Sequence, residues 1–350
     1  MSPTSRKRKK KSGGPPRRPP VRQQQSAAAP TQPGVLRRIA DQLPLLPVSD
    51  GLTHPEAQRH RDRLGLRIIL GIVMAIMTYL VLVPTVAQLV LGLAYRIVAP
   101  GIPYEDYYAS AMAGERPEGL LATNLGIGSF IVICLVLMRW VNLAPPGLVV
   151  SVVRRIRWRY LIASGGVALL VFCIVQAATL LPAGTTITPQ PGFAMFLLVV
   201  LLTSPLQAAA EEVFFRGYLQ QSLGSLVGAW WFGVVGSSVL FALAHGLQSP
   251  ALFVDRLAFG LVVGLLVWRT GGLEAAIGTH VINNVLAFTL AGLTSTIAEV
   301  RGITEIGWGR AAFDVLTFTV IAGGCWLVAS RMNLVTRTGH ASLVDRSRIQ

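Results

Sequence analysis

FAMFLLVVLLTSPLQAAAEEVFFRGYL, residues 193–219, begins as an apolar run of membrane-helix character and then carries two adjacent glutamates and an arginine. What Glu211, Glu212 and Arg216 do there depends on the rest of the chain. Of its 350 residues, 52% are hydrophobic and 13% are charged, with a mean hydropathy of +0.56. A soluble domain carries about 25% charged residues. A bilayer-crossing helix needs ~20 apolar residues, and about eight segments qualify. They are 68–94, 120–138, 160–181, 193–210 (able to continue to 222), 229–246, 252–268, 274–292 and 311–329. The expected fold is all-α, a polytopic helical membrane protein with about eight transmembrane helices. The short alternating segments of a β-barrel are not seen.

The net charge of +15 is concentrated at the start, in MSPTSRKRKKKSGGPPRRPPVRQQQ. That stretch has no apolar periodicity and too little apolar surface to fold. It reads as a disordered basic tail over 1–35 that touches anionic lipid headgroups. No aromatic residues interleave its charges, so no nucleic-acid partner is expected. A polar, interfacial segment follows over 36–67. The transmembrane domain covers 68–330, and a short C-terminal tail covers 331–350. Lysine and arginine bias sets the orientation. The 139–159 connection holds five arginines and no acid, whereas 95–119 is rich in Glu and Asp. Both termini and 139–159 therefore read as cytoplasmic, in a cell (inner or plasma) membrane. Cys134, Cys173 and Cys325 all fall inside spans and form no CxxC, so no disulfide framework is indicated. Of the five histidines, His54, His60 and His340 lie in polar ends and are expected to be solvated.

Ionisable groups inside a membrane are costly and usually functional. Glu212 and Arg216 are four residues apart, on one helix face, in the order that favours an ion pair. Glu211 is turned about 100° from its neighbour and has no obvious partner nearby in sequence. A carboxylate left free and shielded from water is a candidate general base. Phe241 and His245 share a face in FALAH, as do His280 and Asn284 in HVINN. Two imidazoles and a carboxylate are a set that either holds Zn²⁺ or activates water. Glu274 marks the start of a helix.

Glu211-Glu212-x-x-x-Arg216, Phe241-x-x-x-His245 and His280-x-x-x-Asn284, in that order on separate apolar segments, resemble the motifs of the CPBP family. That family contains CAAX prenyl endopeptidases and the bacteriocin-processing or self-immunity (Abi) proteins. The resemblance covers roughly 193–292, and no motif position departs from the pattern. It implies an intramembrane endopeptidase whose spans surround a catalytic cavity, acting on a membrane-embedded or lipid-associated peptide or protein. Carried over, Glu211 would activate water and His245 would help to hold it. His280 and Asn284 would stabilise the oxyanion or complete a metal shell. Glu212, Arg216 and Phe241 would support the site. A zinc site of Glu211, His245 and His280 and a metal-free glutamate mechanism both fit these residues.

Straight helices would not bring the three motifs together. Counting rise, Glu211 lies ~27 Å along a span from Phe193 and His280 ~9 Å past Glu274, both toward the cytoplasm, while His245 lies ~24 Å from Ala229, toward the other face. The 209–256 region is therefore expected to be bent, tilted or re-entrant around a cavity. Two other classes compete with the peptidase: a non-catalytic membrane scaffold and a proton-coupled transporter. No pair of broken repeats supports the latter.

Overall fold

A computed structural model describes residues 45–59, 65–180, 184–246 and 248–339, all within the compact unit Leu43–Gln350. The basic tail 1–35 with its expected lipid contacts, His60 and His340 lie outside the described residues. The described chain is helical, with two isolated β-bridges and no strand. Helix α1 (Gly65–Val98) leads to the short α2 (Tyr104–Met112). Helices α3 (Pro117–Gly128) and α4 (Phe130–Trp140) run on as one 24-residue apolar stretch. Helix α5 (Trp158–Leu180) precedes α6 (Phe193–Glu212), a π-helical stretch Val213–Leu219 and α7 (Gln220–Val227). Then come α8 (Trp230–Ala244), α9 (Pro250–Thr270), α10 (Glu274–Thr294), the short α11 (Ile297–Arg301) and α12 (Trp308–Arg331).

Among the described residues seven helical stretches are long and apolar enough to cross a bilayer. They match seven of the eight expected segments, and the protein is a multi-pass membrane protein. Their outer faces explain why lipid is the solvent. Leu66, Leu80, Leu89 and Leu93 on α1, Ile162 and Leu170 on α5, and Leu316 and Leu327 on α12 all stand exposed. In water such a belt would be an association surface, whereas hydrocarbon accommodates it without cost. The expected fifth span, 229–246, is corrected. Helix α8 has 15 residues, ~22 Å of rise, which is short of the ~30 Å hydrocarbon core. His245 follows it, and Gly246 adopts φ +78°, a left-handed turn that ends a helix at low cost only with glycine. Ser249 then caps α9, its Oγ accepting from the Leu252 amide at 3.3 Å, with Pro250 in the first turn.

Phe193–Val227 is the axis of the bundle, 35 residues long. Helix α3 packs on α6, α10 packs on α5 and α6, and α9 joins α8 to α12. The chain reverses at Gly228 (φ +73°), so α7 and α8 form an antiparallel hairpin. A Cβ at Gly233 would collide with the Gln220 carbonyl oxygen, so glycine there sets how closely the two helices approach. All seven residues of Val213–Leu219 are buried. This stretch is enclosed on every side, which an amphipathic surface helix would not be.

The segment before α1 seals the base of this hairpin. His54 is fully buried, contrary to the expectation that it is solvated. Its Nε2 accepts from Gln221 Nε2 at 2.9 Å, and the same amide donates to the Leu148 carbonyl at 2.6 Å. Gln58 Oε1 accepts from Asn142 Nδ2 at 2.7 Å, and Asn142 Oδ1 accepts from the Tyr218 hydroxyl at 2.8 Å. Residues 49–53 also pair with Arg337 and Thr338, placing the two ends of the described chain side by side.

Burial pushes the His54 imidazole down from 6.5 to about 4. A base whose folded value is depressed contributes stability in full above its unfolded value and loses it as pH falls toward the folded one. Melting of the detergent-solubilised protein is expected to drop between pH 6.5 and about 4, by about 3 kcal/mol at ~1.4 kcal/mol per pH unit. His54→Leu should flatten that limb. An unchanged limb would mean that other groups set it.

Candidate active site

Glu212 is the centre of the site. Its side chain and that of Arg216 are both fully buried, and Arg216 Nη1 donates to Glu212 Oε1 at 2.9 Å. The expected i, i+4 ion pair is present. The guanidinium is also packed among aromatic rings, 4.2 Å from the Phe241 centroid and 5.7 Å from Phe259. Arg216 Nε and Nη2 make no hydrogen bond among the described residues, so ring faces supply much of the contact for its charge. Glu212 Oε1 also receives His280 Nδ1 at 2.7 Å. One carboxylate oxygen thus ties α6 to the π-helical stretch and to α10.

That bond places one ring proton by its direction. A carboxylate only accepts, so His280 Nδ1 carries a proton and donates it to Glu212. Nε2 faces Glu211 Oε2 at 3.6 Å, too far for a direct hydrogen bond. The Glu211 side chain keeps 13% exposure, unlike its neighbour. Its other oxygen, Oε1, accepts from Gln207 Nε2 at 2.5 Å. Gln207 Oε1 in turn accepts from Asn284 Nδ2 at 3.0 Å, and Asn284 Oδ1 accepts from Asn283 Nδ2 at 3.2 Å. Gln207 was not singled out from the sequence. The signal was available, because it stands four residues before Glu211 on the same helix face.

Phe241 brings in the second motif. Its ring lies edge-on to Phe215 at 5.2 Å, to His280 at 6.2 Å and to His245 at 4.7 Å. His245 Nδ1 lies 2.8 Å from the Phe241 carbonyl oxygen, so Nδ1 donates and Nε2 is left as an acceptor. His245 is exposed where α8 stops.

The hairpin explains how these residues share a level. Counting rise, His280 is ~9 Å past the start of α10, and Glu212 is ~22 Å before the end of α7. Their contact sets both at about one depth, and the α7–α8 hairpin runs alongside α9, with Gln220 Nε2 donating to the Gly264 carbonyl and Trp230 stacked on Trp268 at 3.8 Å. Glu212 is 16 residues before Gly228 and His245 is 17 after it. The helix returning from this turn brings Phe241 against Arg216 and His280. Glu274 anchors α10 at this end, taking Arg157 Nε at 2.7 Å and Nη2 at 2.6 Å. It starts the helix as expected, and it is buried and salt-bridged as well.

Among the described residues no three His, Cys, Asp or Glu side chains gather as a metal-ligand set. As placed, Glu211, His245 and His280 do not form a three-ligand zinc site.

Fold and site together define a polytopic membrane protein with a buried Glu–His–Asn cluster. Residues 192–286 match the model of the family described as type II CAAX prenyl endopeptidase Rce1-like. That segment carries all three motifs, so the resemblance lies in the part of the chain that holds the site. Over 142 residues the chain is 32% identical to YyaK, an uncharacterized protein of Bacillus subtilis (strain 168). The match covers 37% of this chain and 48% of that protein, so the chain spans about half the length of this curated relative. No solved structure gives a significant match.

Removing one member of a buried ion pair leaves an uncompensated charge and costs about 3–5 kcal/mol, more than removing both. Arg216→Leu is expected to lower unfolding stability in detergent by that order, and Arg216→Leu with Glu212→Gln to recover part of it. A double variant no more stable than the single would contradict the arrangement.

Proposed function

We propose that the chain is an intramembrane endopeptidase that hydrolyses a peptide bond with a water activated by Glu211. The observation that carries this reading is the facing of Glu211 Oε2 and His280 Nε2, 3.6 Å apart across α6 and α10. In the proposed resting state the His280 ring carries its proton on Nδ1 alone, and a water placed against Nε2 and Glu211 Oε2 donates one hydrogen to each. Its oxygen attacks the substrate carbonyl carbon while the proton passes to Glu211. The same carboxyl then returns the proton to the departing amine nitrogen. Asn284 Nδ2 spends one hydrogen on Gln207 and has a second to offer the oxyanion. His245 Nε2, at the open end of α8, is a further acceptor for water or substrate N–H. Glu212 and Arg216 hold His280 in the required tautomer and do not touch substrate.

The substrate class in this proposal is a membrane-embedded or lipid-associated peptide, reached in a cell membrane from the side that holds residues 49–53 and 337–338. Arginine bias assigns that side to the cytoplasm. A basic tail there would meet anionic lipid. Zinc would require His245 to swing toward Glu211 and His280.

The test is cleavage of a panel of membrane-peptide substrates by purified protein beside Glu211→Gln. A general base contributes about 10²–10⁴-fold, so the variant should lose at least about 100-fold, and a strong chelator should leave wild-type activity intact. Equal cleavage by both proteins would remove Glu211 from the chemistry. Chelator-sensitive cleavage would replace the metal-free reading with the zinc one.

A further inference from the structure

Gln207 lies 8% exposed in an apolar helix, one turn before Glu211, and both ends of its carboxamide are engaged. We infer that Gln207 is a positioning residue for the proposed hydrolysis, orienting the Glu211 carboxylate and coupling it to Asn284. The inference rests on the peptidase reading above and adds a residue that the three motifs omit.

The hydrogen-bond directions carry the argument. Asn283 Nδ2 donates to Asn284 Oδ1, Asn284 Nδ2 to Gln207 Oε1, and Gln207 Nε2 to Glu211 Oε1. Each amide has its oxygen toward the preceding donor and its nitrogen toward the following acceptor. Turning the Gln207 amide over would set its N–H₂ against that of Asn284 and its carbonyl against a carboxylate, which is repulsive at both ends. The chain therefore has one direction, and it ends on Glu211 Oε1 as acceptor. Holding Oε1 fixes the carboxylate plane and leaves Oε2 directed at His280 Nε2. The same bond occupies one Asn284 hydrogen and sets where the other points. A short charge-assisted bond is stronger than a neutral one, so its loss should be felt in turnover.

A purely structural glutamine would affect folding alone, and the test separates the two roles. Gln207→Met keeps the side-chain length without the amide, and Asn283→Leu breaks the first link outside the three motifs. Both are assayed beside wild type, Glu211→Gln and Asn284→Ala, with melting temperature as the fold control. Gln207→Met should lower kcat about 10–100-fold, the loss of a hydrogen bond to a charged group, with KM within about threefold. Asn283→Leu should move kcat the same way by less. In an Asn284→Ala background, Gln207→Met should cost much less than alone, because groups in one network are not additive. If Gln207→Met does not fold, the kcat of Asn283→Leu decides the matter. Wild-type kcat in both variants, with Glu211→Gln inactive, overturns the inference and leaves the peptidase reading standing. Full additivity with Asn284→Ala also overturns it. Glu211→Gln as active as wild type overturns both.

Discussion

A single carboxylate oxygen, Glu212 Oε1, holds this structure together. It receives the Arg216 guanidinium at 2.9 Å and the His280 ring at 2.7 Å where no water reaches. An ion in such surroundings is tolerated only when its charge is neutralised and its hydrogen bonds are made. Arg216 meets the first requirement and His280 contributes to the second. The aromatic rings around the guanidinium follow from the same constraint. Phe241 and Phe259 offer π faces to a cation whose Nη1 bonds Glu212 and whose Nε and Nη2 find no partner among the described residues. The hairpin, the break after α8 and the anchoring of α10 by Arg157 and Glu274 all serve to deliver groups to this point.

The two glutamates illustrate how adjacent identical residues come to differ. A rotation of about 100° turns Glu212 inward to a charge and Glu211 toward an opening. Glu212 is consumed by structure. Glu211 retains one oxygen for chemistry, with the other held by Gln207. Burial alone would not separate their roles. Which groups each carboxylate meets decides them.

Several of these features were legible in the sequence because helical spacing is covalent information. The Glu212–Arg216 pair, the shared faces of Phe241 with His245 and of His280 with Asn284, and the apolar length of seven spans need only a 3.6-residue period. Distortion of 209–256 was also legible, since straight helices could not satisfy three motifs. Its form was not. The span was expected to stop by 222, yet Gln220, Gln221 and Ser222 continue the helix into the α7–α8 hairpin. Gln221 is buried there against His54, 167 residues away in sequence, the Gln58 amide donates to nearby Ser225, and Gln220 is held by the Gly264 carbonyl of α9. The same long-range contact makes the sequence expectation for His54 fail, because burial imposed by a distant segment leaves no local periodicity. Gln207 was missed for a different reason: an uncharged amide in an apolar run raises no alarm, and its importance lies in two hydrogen bonds across helices.

The most direct test of the account is a double-mutant cycle between Glu212 and His280, read as unfolding free energy in detergent and requiring no substrate. Glu212→Gln, His280→Gln and the double variant are compared with wild type. Residues sharing one buried network are coupled by about 0.5–3 kcal/mol, and an interaction energy in the upper part of that range is predicted. Additivity within about 0.5 kcal/mol would mean that α10 does not dock on Glu212, and the proposed site would lose its geometry.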